Sequence, residues 1–144
     1  MTTQRLEKDF RETLKNHTIA NFWWLKLQAN PMSYTSTPAD YIILGQNTNY
    51  LVECKETRND RFEFSRLTQL AALLTFSNYP RNKAYTLIRF WNTNKNNSTT
   101  FLIDTAVLNG YIITTPKKSM NLTDAMGAFS NCVITLQQLQ AHPW

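Results

Sequence analysis

The stretch TPADYIILGQNTNYLVECKET, running from Thr37 to Thr57, carries the reading on which the fold turns. Asp40 opens an apolar run, Tyr41-Ile42-Ile43-Leu44. The polar segment Gly45-Gln46-Asn47-Thr48-Asn49 then leads into a second run, Tyr50-Leu51-Val52-Glu53-Cys54-Lys55. Two β-branched and aromatic runs joined by a Gly/Asn-rich segment predict a β-hairpin. Side chains alternate along a strand, so Glu53 and Lys55 share one face while Cys54 looks the other way with Val52 and Tyr50. With the turn near Asn47, residues whose numbers sum to about 94 lie opposite one another. Asp40 then falls close to the level of Cys54, beside Glu53 at one end of the hairpin.

Two carboxylates held together repel, and burying them is costly unless positive charge sits between them. A divalent cation with oxygen ligands supplies that charge, with Mg²⁺ expected and Mn²⁺ as a substitute. The chemistry such a site suits is phosphodiester hydrolysis. The ion would lower the pKa of a bound water and neutralise charge at the phosphate, while Lys55 orients the water or stabilises the developing oxyanion. Spacing alone fits equally a solvated Glu53 and Lys55 on the exposed side of a half-buried hairpin.

Pro38-Ala39-Asp40 followed by Glu53-Cys54-Lys55 resembles the PD-(D/E)XK nuclease signature, with one residue inserted between proline and aspartate. The closer resemblance is to the RecU-like Holliday junction resolvases, carried by Thr37-Pro38-Ala39-Asp40-Tyr41, Tyr50 to Thr57, Phe64-Ser65 and Gln69. It extends from about Ser36 to Leu74, with a fainter echo in the amino-terminal helix. The resemblance implies a restriction-endonuclease-like α/β fold, a mixed β-sheet of about five strands flanked by helices. It implies Asp40 and Glu53 as metal ligands and Lys55 as the catalytic lysine. It adds Glu7 from the first helix, with Glu12 as its substitute, and Gln69 near the catalytic carboxylate or the attacking water. One active centre cuts one strand, so paired cutting implies a homodimer. The chain departs from the family between its first strand and Asp40. The family inserts a longer basic stalk there, whereas QANPMSYTST is about ten residues and contains no Lys or Arg.

The chain of 144 residues, 42% hydrophobic, fits one domain spanning residues 1–144. No apolar run approaches the roughly 18 to 20 residues of a membrane span. MTTQRLEKDF lacks the apolar centre of a secretory signal, so a cytoplasmic protein is expected, and the abundance of Asn and Thr suggests an AT-rich genome and hence a bacterial or bacteriophage origin. Cys54 and Cys132 are the only cysteines, too few and too far apart for a zinc cluster; both read as buried free thiols. The net charge of +5 is compatible with a phosphate-bearing partner without requiring one.

Helical spacing predicts an amphipathic helix over Thr3 to Asn16, capped by Thr2 or Thr3, with Leu6, Phe10, Thr13 and Leu14 facing the sheet. His17 reads as a polar helix end. Ile19 to Leu27 reads as the first strand, with Phe22-Trp23-Trp24 in the core or, alternatively, one tryptophan stacked on an unpaired base. A helix is expected over Glu63 to Phe76, with Ser65 as a cap and Leu67, Leu70, Ala71 and Leu74 as its apolar stripe. Strands are expected over Lys83 to Trp91 and Thr99 to Ile103, followed by a helix from Asp104 that Asn109-Gly110 ends. Short helices are expected over Leu122 to Ala128 and Thr135 to Gln140. Glu56 reads as structural. Arg58 and Arg61 are placed to hold phosphates flanking the scissile one. Arg66, Lys8 and Thr37 complete the expected DNA contacts, and Lys117-Lys118 form a further candidate pair.

These readings point to a Mg²⁺-dependent, structure-selective DNA endonuclease of the RecU-like resolvase kind. The alternatives are a nuclease that cuts flaps, nicks or duplex, and a DNA-binding protein that keeps the fold without catalysis. An accidental constellation in a structural protein would leave binding insensitive to salt and Mg²⁺.

Overall fold

The computed structural model describes residues 5–19, 21–28, 37–92 and 96–144. The expected caps Thr2 and Thr3, and most of the segment before Asp40, lie outside these residues. The hairpin forms as β2 (Tyr41–Leu44) and β3 (Asn49–Thr57), antiparallel, with Tyr41 opposite Val52 and Leu44 opposite Asn49. The register is one residue tighter than expected and brings Asp40 level with Glu53. Gly45 is required by close approach at the turn: a Cβ there would lie 2.8 Å from the carbonyl carbon of Trp144.

β1 (Trp23–Lys26) adds to β2 as an antiparallel edge strand. On the other side, β5 (Asn82–Trp91) runs parallel to β3, and β6 (Ser98–Asp104) closes a five-stranded sheet in the order β1-β2-β3-β5-β6. The parallel pair needs a crossover. It is supplied by β4 (Arg61–Glu63), a 3₁₀ turn at Phe64–Arg66 and the helix α2 (Leu70–Ser77). β3 is buried on both faces, as a central strand should be.

One face of the sheet is covered by α1 (Arg5–Lys15) and α5 (Leu136–Gln140). Leu6, Phe10 and Leu14 meet Tyr41, Ile43, Val52 and Cys54 there, and Phe10 packs edge-on against Tyr41 at 5.2 Å between ring centroids. Each large apolar side chain so buried contributes about 1.5–3 kcal/mol. The opposite face carries Leu51 and Ala84 beneath Leu73 of α2. Further along it, Ile88, Phe90, Phe101 and Ile103 lie beneath α3 (Thr105–Thr114) and α4 (Leu122–Phe129).

Several expectations are corrected. Trp23 is 54% exposed, because β1 is an edge strand with no further strand beyond it among the described residues, while Phe22 and Trp24 are half-buried. Glu63 belongs to β4, which pairs with β7 (Ser119–Asn121), so the helix expected from Glu63 starts only at Leu70. Ser65 caps nothing, Ala71 is exposed, and Leu73 is the fully buried residue of α2. α3 runs through Asn109-Gly110 to Thr114; glycine in a helix interior costs only about 1 kcal/mol, which tertiary packing overrides. Cys54 is buried as expected, but Cys132 is only half-buried.

Candidate functional site

Backbone geometry holds Asp40 at the mouth of the hairpin. Its N–H donates to the Val52 carbonyl at 3.1 Å, and its carbonyl accepts from Leu27 N–H at 2.8 Å. The side chain is fixed as well: Oδ2 accepts from the Cys54 N–H at 2.7 Å, a charge-assisted bond within its short range. Glu53, on the neighbouring strand, is 3% exposed, and its Oε2 has no hydrogen-bond partner. Burial first, then a hydrogen bond to the Asp40 carboxyl and the Asp40 charge, push Glu53 up to about 9; Lys55 acts in the opposite direction. Lys55 is half-buried on the same face as Glu53 and forms no ion pair among the described residues.

A buried carboxyl with an oxygen left over, abutting a second carboxyl, supplies the oxygen ligands a hard divalent cation takes. The residues present therefore fit Mg²⁺. Among the described residues no group of three or more His, Cys, Asp or Glu side chains converges on one point. Two carboxylates would leave the remaining positions of such an ion to water and phosphate oxygens.

The other expected residues are distributed differently. Glu7 lies on the α1 face, where its carboxylate pairs with Lys26 and its carbonyl accepts from the Tyr41 hydroxyl at 3.2 Å. Glu12 is exposed beside Lys15 at 3.9 Å. Gln69 stands at the start of α2, its Oε1 accepting from Thr68 Oγ1 at 2.9 Å. None of these three is bonded to Asp40 or Glu53. His17 is held structurally: Nδ1 accepts from Ile19 N–H at 3.0 Å, which leaves the Nε2 proton for the His142 carbonyl at 2.7 Å.

Of the expected DNA contacts, Arg61 and Lys8 are exposed, Thr37 is half-buried, and Arg66 rests on the Phe62 ring at 5.1 Å. Arg58 bonds Glu56 at 3.4 Å and lies 5.1 Å from the centre of the Trp91 ring. Lys117 is tied to Asp124 at 3.0 Å, and Lys118 is exposed.

Glu56 is structural, as its strand parity predicts, but its partners, and the whole Arg89 cluster, escape the sequence reading. Glu56 is 9% exposed and accepts from Leu6 N–H at 2.8 Å and Trp91 Nε1 at 2.8 Å, tying α1 to β3 and β5. Arg89, 3% exposed, donates to Asp9 at 2.7 Å and to Thr100 Oγ1 at 3.1 Å. Strand parity was the available signal for Glu56, which shares the inward face of Cys54. A carboxylate placed there needs donors around it.

The mixed five-stranded sheet with helices on both faces is the restriction-endonuclease-like α/β fold. A solved structure similar to this chain is that of Hjc, a Holliday junction resolvase from the archaeal hyperthermophile Archaeoglobus fulgidus. The two superpose with a TM-score of 0.59 over 96% of this chain and 100% of that one, at 15% sequence identity. No protein-family model and no curated protein matches the sequence. No described helix is long and apolar enough to cross a membrane.

Proposed function

We propose that this chain is a Mg²⁺-dependent DNA endonuclease that resolves four-way junctions in the manner of the RecU-like enzymes it resembles. The observation that carries this reading is the Asp40 and Glu53 pair, with Oε2 of the buried glutamate unsatisfied. The fold it sits on, shared with a junction resolvase, supports the same reading. Asp40 and Glu53 hold the ion, and Mn²⁺ substitutes for it. When bound, the ion supplies a water of lowered pKa and neutralises charge at the phosphate. The Cys54 N–H keeps Asp40 oriented before substrate arrives. Lys55 donates to the attacking water or to a non-bridging phosphate oxygen, where charge develops in the transition state. Glu7 and Gln69, which the resemblance adds to the site, are held here by Lys26 and Thr68 and make no bond to either carboxylate. A homodimer supplies the second centre that paired cutting needs.

A second reading keeps this chemistry and directs it to flaps, nicks or duplex. Its support is the segment QANPMSYTST, where the resembled family carries its basic stalk. Cleavage of a labelled four-way junction, a flap and a linear duplex, with Mg²⁺ or EDTA, separates the readings. Paired symmetric nicks on the junction, lost in EDTA and in Asp40→Asn, are expected. Cutting of flap or duplex alone would transfer the activity to the second reading. Binding without Mg²⁺-dependent cutting would make the chain a DNA-binding protein on a nuclease fold.

A further inference from the structure

On the α1 face, away from the carboxylate pair, three guanidinium groups converge on one indole. The Cζ atoms of Arg5, Arg58 and Arg89 lie 5.5, 5.1 and 5.3 Å from the centre of the Trp91 ring. Arg89 is buried and committed to Asp9 and Thr100, so it belongs to the core. Arg5 and Arg58 are different. The Arg5 side chain is 64% exposed, and its nearest acid, Asp9, is 3.9 Å from Nε, beyond hydrogen-bond length. The Arg58 side chain is 28% exposed and has one long bond, 3.4 Å, to Glu56. Each guanidinium carries five donors, so both retain most of their hydrogen-bonding capacity.

The indole between them is fixed. Its Nε1 donates to Glu56 Oε1 at 2.8 Å, and the other oxygen of that carboxylate holds the first turn of α1 through Leu6 N–H. A guanidinium held within cation–π reach of a fixed ring can turn its planar fork to phosphate oxygens at little further loss of side-chain freedom. The parallel register sets Thr57 beside Phe90, so Arg58 leaves β3 level with Trp91. It lies five residues beyond Glu53, about 16 Å at strand rise.

We infer that Arg5 and Arg58, held on Trp91, form a phosphate grip that binds the nucleic-acid backbone several nucleotides away from the bond being cut. The inference rests on the nuclease reading, since that reading makes DNA the ligand; it adds Arg5 and Trp91 to the binding surface and separates this contact from the scissile phosphate.

The test is fluorescence-anisotropy binding of a labelled four-way junction and a duplex in EDTA, across 50 to 300 mM salt, so that no cleavage intervenes. Arg5→Ala and Arg58→Ala should each weaken binding about 3- to 10-fold and lower the salt slope by about 1, the signature of one lost phosphate contact. Lys15→Ala removes the same charge from the far end of α1 and should leave the slope unchanged. Arg5 is mostly exposed, so its variant remains informative even if Arg58→Ala folds poorly. Unchanged slopes in the arginine variants, or an equal change in Lys15→Ala, would overturn the grip while leaving the nuclease reading intact. Failure of the unaltered protein to bind either DNA would overturn both.

Discussion

Glu53 and Glu56 lie three residues apart on the same strand, are both buried, and face opposite sides of the sheet. Glu56 is surrounded by donors: a helix N–H, an indole N–H and an arginine. Glu53 has an oxygen with no donor and a second carboxyl as its neighbour. Folding alone explains the first arrangement, because a satisfied buried carboxylate joins three elements. It does not explain the second, whose ionised form opposes folding unless a cation compensates it. One strand therefore carries a satisfied carboxylate on one face and an unsatisfied one on the other.

The largest expected effect breaks this contrast on the side of Glu53. Asp40→Asn keeps the shape of the pair but removes a charge that would hold the ion, so Mg²⁺-dependent cleavage should fall by on the order of 10³-fold. Retention of cutting by Asp40→Asn would make the pair ordinary surface chemistry and the contrast empty. Next in size is the structural partner. Glu56→Ala strands Leu6 N–H and Trp91 Nε1 and leaves Arg58 without its acid, so urea denaturation should show a loss of about 3 kcal/mol. A loss below about 0.5 kcal/mol, typical of an unremarkable surface site, would refute the anchoring role.

The hairpin was legible because its two runs, its polar turn and its alternation all point to one structure. That placed Asp40 near Glu53 to within one residue of register. The burial of Leu6, Phe10, Thr13 and Leu14 was legible for the same reason, since one face of a helix repeats in the sequence. What could not be read depends on partners distant in the chain. The pairing of Arg61–Glu63 with Ser119–Asn121 joins strands of three residues, too short to show a period. Trp23 looks like core by composition and is exposed because its strand is the last in the sheet, a fact of topology. The Arg89 and Asp9 pair spans 80 residues of sequence, and nothing local to either side chain announces the other.

A smaller effect sharpens the contrast between the glutamates without touching DNA. Glu53→Gln removes the proton uptake that burial and Asp40 impose on folding, while the amide still occupies the same space. At pH 8 and without metal, the variant should be more stable than the unaltered protein by about 1–3 kcal/mol, the scale of a relieved buried polar group. It should also be inactive. A stability loss in Glu53→Gln would mean that the glutamate is satisfied in the folded state, and would align it with Glu56.

The smallest effect is the pH slope behind that gain. Glu53 moves from an ordinary 4.5 to about 9 on folding, so between these values the folded chain keeps a proton that the unfolded chain has released. Stability from this group is therefore complete below about 4.5, declines as pH rises, and is lost by about 9, with a slope of at most about 1.4 kcal/mol per pH unit for one proton. Glu53→Gln should flatten that slope in urea titrations between pH 5 and 9, whereas Glu56→Gln should leave it in place. Mg²⁺ acts against the same proton: its binding requires the ionised pair, so it should stabilise the protein more at pH 8 than at pH 6 and release protons as it binds. Stabilisation by Mg²⁺ that is equal at both pH values would place the ion away from Glu53, and the contrast between the two glutamates would then lose its functional meaning.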